Sequence, residues 1–295
     1  MTSEAAFIEA LRGLVSTPSA RALLDDCAVL PLGTETLVLT HDMIAAGVHF
    51  LPDADPADIA WRLVATNMSD LAAKGAEPVG VLLGHMLDED DTRFLAGLGE
   101  ALAHYHAPLL GGDTIAVPGG TRVLGLTAIG RATCPRVPSR TGARAGDGLY
   151  ITGPVGAAML GLEAIRAGTP DPAASLAYRR PEALMAEGRA LAPLVTAMMD
   201  VSDGLLLDAA RMARASGITL AIDSAAVPIA TPENRRAEAL RWGDDYQLLF
   251  TAPAGVVLPV PAFAIGRALD AGPAPLLVDG APAGEEAPLG YQHRG

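Results

Sequence analysis

The sequence predicts two mixed domains in series, an α/β unit followed by an α+β unit. Three observations predict this. Apolar strand-like runs alternate with amphipathic helical stretches in both halves. The 295 residues are long for one domain and ordinary for two. The pattern breaks at Thr133–Ser139, where TCPRVPS carries two prolines. The expected units are therefore residues 1–138 and 139–295.

Taken in order, Glu4–Val15 reads as a helix, and CAVLPL and TLVLTHDMI as short buried strands rich in Val, Leu and Ile. Asp55-Pro56 starts a helix, because Asp can cap open amides and Pro fits a first turn. That helix runs to Gly75, a natural stop. PVGVLLGHML is a strand, residues 91–104 a helix, and PLLGGD and VLGLTAIG strands. Past the break, GLYITGPVGAAMLGLEAIRAG reads as strand, glycine turn and helix, and EALMAEGRALAPLV as helix. VSDGLLLDAARMARASG is a loop and a helix ending at Gly217, while ITLAIDSA and YQLLFTAP are strands. The Gly- and Pro-rich tail from Ala271 is expected to loop over the surface.

Composition excludes several function classes. Half of the residues are hydrophobic, enough for a sizeable core. The formal charge of −13 argues against wrapping a nucleic-acid backbone. Two cysteines, Cys27 and Cys134, cannot build a disulfide scaffold or a four-cysteine zinc site. No apolar run reaches membrane-span length, and the start lacks the basic head of a signal peptide, so a cytoplasmic protein is expected. Lys74 is the only lysine, in LAAKGAEP, which excludes a Walker-type phosphate loop and a protein-kinase fold. Any phosphate chemistry must rest on metal ions, arginines and backbone amides.

Aspartates sit at strand ends and in tight small-residue turns: Asp25, Asp26, Asp42, Asp70, Asp113, Asp200, Asp203, Asp244 and Asp245. Open α/β folds place ligands at strand ends. Two carboxylates about 4 Å apart repel by roughly 4 kcal/mol at an effective dielectric of 20, so a converging cluster requires raised pKa values or bound cations. With hydroxyls such as Thr40, Ser69, Thr114 and Ser202 nearby in sequence, the donors are hard oxygens suited to Mg²⁺, and a Mg²⁺-filled cleft can hold a nucleoside triphosphate. Taken singly, each aspartate reads as a turn or cap residue before it reads as a ligand, and the pattern carries more than its members. His49, in AAGVHFLP, is either a ligand contact or a half-buried structural histidine. TGPVGAAMLG lacks full GxGxxG spacing.

LDDCAVL, LTHDMIAAGVHFLPD, DIAWRLVATNMSDLAAKGAEP, LLGGDT, SRTGARAGDGLYITG, MMDVSDGLLLDAARMARASG, GDDYQLLFTAP and GYQHRG, in this order, resemble successive blocks of the thiamine-monophosphate kinase family. That family belongs with aminoimidazole ribonucleotide synthetase, selenophosphate synthetase and a hydrogenase-maturation factor. The resemblance implies an aminoimidazole ribonucleotide synthetase-like fold whose N-terminal domain forms the sheet or barrel of a homodimer. It implies ATP and thiamine monophosphate as substrates, several Mg²⁺ ions, and direct phosphoryl transfer giving thiamine diphosphate without a general base. By motif it places Asp26, Thr40, His41, Asp42, Asp70, Asp113, Asp200 and Asp203 at metal positions. Tyr105, Gly112, Asp113, Arg140 and Ser202 fall at nucleotide positions, and His49, Asp244 and Tyr291 at thiamine-phosphate positions. The alternatives are another phosphate acceptor, or nucleotide and Mg²⁺ binding without turnover. The chain departs from the family pattern at Leu24, at His41, at Ala157, in a shortened stretch before Asp244, and at Arg294.

Overall fold

The computed structural model describes residues 4–168, 173–284 and 287–293. Arg294 lies outside the described residues. The N-terminal unit comprises α1 (Glu4–Arg12), a 3₁₀ turn (Pro18–Leu23), β1 (Ala28–Leu32), β2 (Glu35–Ala45), α2 (Pro56–Ala73), β3 (Ala76–Met86), α3 (Asp91–His104), β4 (Leu109–Ile115) and β5 (Val123–Ala132). Its five-stranded sheet has the order β1-β2-β5-β3-β4, antiparallel except for the parallel pair β3–β4. The second unit contains β6 (Gly148–Ile151), α4 (Ala157–Arg166), α5 (Leu176–Arg179), α6 (Met185–Leu191), β7 (Ala197–Asp200), α7 (Leu205–Ser216), β8 (Thr219–Ile222), α8 (Arg236–Ala239), β9 (Leu248–Ala252), β10 (Phe263–Leu269), β11 (Leu276–Val278) and β12 (Ala281–Pro282). Its sheet runs β12-β11-β8-β10-β6-β9-β7, with β8–β11 the parallel pair. Among the described residues, no helix is long and apolar enough to cross a membrane.

Helix α2 organises the molecule. The Asp55 carboxylate accepts the Ala57 N–H at 2.9 Å, Pro56 fills the first turn, and Gly75, at φ +60°, ends the helix. Every residue of α2 except Pro56 and Trp61 is buried. One side packs into the N-terminal core with Leu63, Met68 and Leu71. At its C-terminal end, Ala72 and Ala73 join a core with Leu191, Met198 and Phe250 of the second unit. The helix thus belongs to both halves, and small residues permit the approach. A Cβ at Gly188 of α6 would lie 2.0 Å from the Ala72 carbonyl oxygen, and one at Gly97 of α3 would lie 2.3 Å from Ala57.

Three expectations need correction. The stretch 182–195 is helical only over Met185–Leu191, since Pro193 cannot continue a helix. The tail from Ala271 is not all surface loop: β11 adds to β8, and Leu276 is fully buried there. Helix α1 ends at Arg12, just before Gly13.

The α2–α6 approach yields a stability prediction. Gly188→Val forces the two helices apart and should cost about 2–3 kcal/mol, an overpacking penalty read from urea unfolding midpoints at unchanged m. A midpoint equal to the parent's would show that the contact is looser than described.

Candidate active site

The acidic residues converge. Asp26 precedes β1, Asp42 lies in β2, Asp70 in the last turn of α2 and Asp200 at the end of β7. Asp26, Asp70 and Asp200 each bring a carboxylate oxygen within 4.8 Å of the others. Thr40 donates its hydroxyl to Asp70, and Ser69 donates to Asp200 at 2.7 Å. The Asp42 N–H donates to Asn67 Oδ1 at 3.2 Å, which registers β2 against α2. Helical spacing explains the grouping on α2: Thr66, Asn67 and Asp70 lie three and four residues apart and so share neighbouring faces.

The electrostatics are those of a cluster only partly compensated, since Arg140 and Lys74 oppose the rise at Asp200. Burial, then Asp200, Asp26 and Asp203, push the Asp42 carboxyl up to about 7. Burial and the neighbouring Asp42, Asp26 and Asp200 hold Asp70 well above the usual carboxylate range. Asp200 rises to about 6, from burial and then Asp26. One Asp26 oxygen, Oδ2, is buried without a hydrogen-bond partner among the described residues. Arg140 pairs with the other oxygen of Asp26. A hard divalent cation fits this donor set of three carboxylates with one orphaned oxygen.

The carboxylates line a cleft of about 810 Å³ between the two units. Arg140, Ser202 and Asp203 lie on it, and so do His49, Asp244 and Tyr291. The Asp200–Asp203 turn is held by Asp208, fully buried in the first turns of α7. Its carboxylate accepts the Ser202 and Asp203 N–H groups at 3.2 and 3.1 Å. Arg211 bonds both Asp203 and Asp208. Asp244 sits at φ +65° and pairs with Arg62 at 2.5 Å. Arg62 is buried and lies 4.6 Å from the centre of the Tyr178 ring. The next residue, Asp245, turns away and accepts the Gly156 N–H at 2.8 Å, at the start of α4. Ala157 is the first residue of that helix. His49 accepts the Ala45 N–H on Nδ1 at 3.0 Å, and its ring lies 5.3 Å from that of His293. Burial, then His293, lowers the His49 pKa.

Three residues assigned by motif, Gly112, Asp113 and Tyr105, fall elsewhere within this chain, and a fourth, His41, borders the cleft with its ring bonded on the opposite face of β2. The strand alternation that turns Thr40 and Asp42 inward turns His41 outward, where its Nδ1 meets Thr127 Oγ1 at 2.9 Å. Gly112 and Asp113 lie on edge strand β4. Asp42, Leu126, Leu83 and Gly112 stand in one row across the sheet, so Gly112 is three strand spacings, about 14 Å, from Asp42. Asp113 pairs with Gly84, which pairs with Gly125 and so with Met43, and shares their outward face. Tyr105 is buried beneath Trp61, its hydroxyl accepting the Ala183 N–H at 3.0 Å. Sequence reasoning missed Arg62, Asp208, Arg211 and His293. Of these, only the Asp208–Arg211 spacing carried a signal, an i,i+3 pair just after the DVSDG turn.

The fold and cleft together define a class, a two-domain α/β protein whose domain junction holds a carboxylate cluster beside an open ligand cavity. Residues 24–132 match the family model "AIR synthase related protein, N-terminal domain", and residues 144–271 match "AIR synthase related protein, C-terminal domain". Thiamine-monophosphate kinase of Escherichia coli K12 is 36% identical over 249 residues, covering 78% of this chain and 75% of the relative. The Caulobacter vibrioides enzyme of the same name is 37% identical over 252 residues, covering 79% and 71%. The solved structure "AaThiL complexed with AMPPCP and TMP" superposes with a TM-score of 0.88 at 28% identity, covering 99% of this chain and 97% of that one. Thiamine-monophosphate kinase from Stenotrophomonas maltophilia K279a gives 0.77 at 31% identity, covering 94% and 96%. The chain belongs to the AIR synthase related family and, within it, to the thiamine-monophosphate kinases.

The raised carboxyl pKa values predict how a divalent cation stabilises the protein. A carboxyl raised on folding leaves the native state holding more protons than the unfolded one between its two pKa values. Without metal, Asp42 and Asp200 therefore subtract stability as pH rises from about 4 to about 7. A cation that offsets this charge should raise the unfolding temperature more at pH 8 than at pH 5, measured with Mg²⁺ against EDTA. An increment independent of pH would contradict the assignment.

Proposed function

We propose that this chain transfers the γ-phosphoryl group of ATP directly to the phosphate of thiamine monophosphate, giving thiamine diphosphate and ADP. The observation that carries the reading is the meeting of Asp26, Asp70 and Asp200 in a cleft that His49, Asp244 and Tyr291 also line. The likeness to a structure holding AMPPCP and TMP supports it. Asp26, Asp70 and Asp200, with Asp42 and Asp203 beside them, would hold Mg²⁺ ions. These ions, when bound, supply positive charge between two anionic substrates.

The other residues bind and orient. Arg140 and Ser202 lie where a nucleotide phosphate would meet the cluster. The thiazolium ring of thiamine monophosphate is a cation, and Asp244 offers it a carboxylate fixed by Arg62. His49 and Tyr291 close that end. With its pKa lowered, the His49 ring stays neutral and presents an apolar face rather than a charge. The acceptor is a phosphate oxygen already largely ionised at neutral pH, since a monoester's second pKa is about 6. No side chain need remove a proton, and none is assigned as a base. Positioning for an in-line approach is the protein's contribution. Thr40 orients Asp70 through its hydroxyl. The His41 imidazole is engaged by Thr127 on the outward face of β2, and no metal role is assigned to it. We assign Tyr105 to packing.

The outward face of the N-terminal sheet exposes Met43, Leu82, Leu110 and Ile115. A second copy of this chain would cover it, so any nucleotide role of Gly112 and Asp113 belongs to the homodimer. ATP as co-substrate fits a cytoplasmic setting, and the charge of −13 gives nucleic acid no purchase.

Incubation with ATP, Mg²⁺ and thiamine monophosphate should yield thiamine diphosphate. ADP formed only with another acceptor would reassign the substrate, and tight nucleotide binding without ADP would make this a binding protein. Asp70→Asn should lower kcat by about 100-fold or more, partly recovered at high Mg²⁺. A pH–rate profile shifted by Asp70→Asn at unchanged metal affinity would contradict a metal-holding role. Light scattering should give twice the 30.2 kDa chain mass, and Met43→Asp with Leu82→Asp should halve it. A parent monomer would refute the dimer.

A further inference from the structure

The sole lysine is fully buried at the end of α2, one turn beyond Asp70. Its Nζ meets Asp25 Oδ1 at 2.5 Å, and both side chains are fully buried. The other oxygen of Asp25 accepts from Arg21 Nη1 at 2.5 Å. Arg21 also donates to the Pro138 carbonyl at 2.6 Å and the Val137 carbonyl at 2.9 Å, in the segment between the two sheets. Arg21, Ala22 and Leu23 all have positive φ, near +50°. Left-handed residues without glycine are costly, so this turn persists only because its ends are anchored. The carboxylate so anchored is covalently adjacent to Asp26, the member of the cluster with the orphaned oxygen.

We propose that Lys74, Asp25 and Arg21 form a positioning bracket that sets where Asp26 stands relative to Asp70 and Asp200, and thereby sets the affinity for divalent cation. This rests on the metal-holding part of the function proposed above. A buried ion pair is poor as a stabilising device, because neutral groups of similar volume hold a fold as well or better. What a neutral pair lacks is direction. Asp25 uses both oxygens, one on α2 and one on the turn that grips the interdomain segment. Asp26 therefore has little freedom to move away from the two carboxylates it faces.

The test uses the full chain and Mn²⁺ alone, titrated by electron paramagnetic resonance, with no turnover required. Asp25→Asn/Lys74→Met replaces the charged pair by neutral groups of similar size. It should unfold within a few degrees of the parent yet bind Mn²⁺ about tenfold more weakly, the scale expected when a ligand's supporting partner is lost. Asp25→Asn alone should show the same loss, and Arg93→Gln, which breaks the remote Arg93–Asp55 surface pair, should show none. Parent-like Mn²⁺ affinity in the folded double variant overturns the proposal. An unfolded double variant overturns it too, because the pair would then be a requirement of folding. So does a parent that binds no Mn²⁺. A parent that binds Mn²⁺ but makes no thiamine diphosphate, with the tenfold loss still present, removes the kinase reading and leaves the bracket standing.

Discussion

The structure depends on a polar helix being buried. Helix α2 is enclosed almost from end to end, yet it carries Asp58, Arg62, Asn67, Ser69 and Asp70, and Lys74 caps its end. Charged groups in that setting are tolerable only when each has a partner or a ligand. Most have protein partners. Asp58 takes Arg179 and Arg180 at 2.6 and 2.5 Å, which fastens α5 of the second unit across the N-terminal helices. Arg62 takes Asp244, and Lys74 takes Asp25. Asn67 registers β2, and Ser69 reaches Asp200 of β7. The pairing of the helix's polar groups is therefore also the assembly of the cleft.

Asp70 is the exception, and its neighbours make it one. Thr40 supplies a hydroxyl but no charge, and the charged groups that act on it most strongly, Asp42, Asp26 and Asp200, are acidic. The contrast with Asp25 is instructive. Both carboxylates are buried within one compact region, but Asp25 has two cations and falls to about 2, whereas Asp70 has none and rises. The protein spends its few buried cations on the surroundings of the cluster, at Asp25, Asp203, Asp208 and one oxygen of Asp26, and leaves Asp42 and Asp70 without one. Oxygen donors that hold protons for want of a cation are what a divalent cation can take over.

Much of this was legible in the sequence, for physical reasons. Asp55-Pro56 and Gly75 are local signals, and α2 lies between them. Strand alternation orients Thr40, His41 and Asp42, although knowing that His41 points away needs the sheet as well as the strand. Asp26, Asp42, Asp70 and Asp200 stood out only as a pattern, acids recurring at the ends of apolar runs and in small-residue turns, where any one of them alone reads as a turn or cap residue. Asp113 stood out by the same rule and yet lies on the far face of the sheet. Its position depends on β4 adding parallel to the edge of β3, a long-range pairing that spacing does not encode. Arg62 escaped notice because an arginine in a helix reads as solvated surface. Its partner Asp244 lies 182 positions later in the chain. The lone lysine was visible as a count, but its partnership with Asp25 was not.

The central claim is that Asp26, Asp70 and Asp200 hold a divalent cation at the domain junction. Crystals of the chain soaked in Mn²⁺ and measured at a wavelength where manganese scatters anomalously test it directly. The account predicts an anomalous peak within ordinary metal–oxygen distance, about 2.1–2.3 Å, of all three carboxylates. An empty cluster in crystals whose Mn²⁺ binds elsewhere on the chain would contradict it.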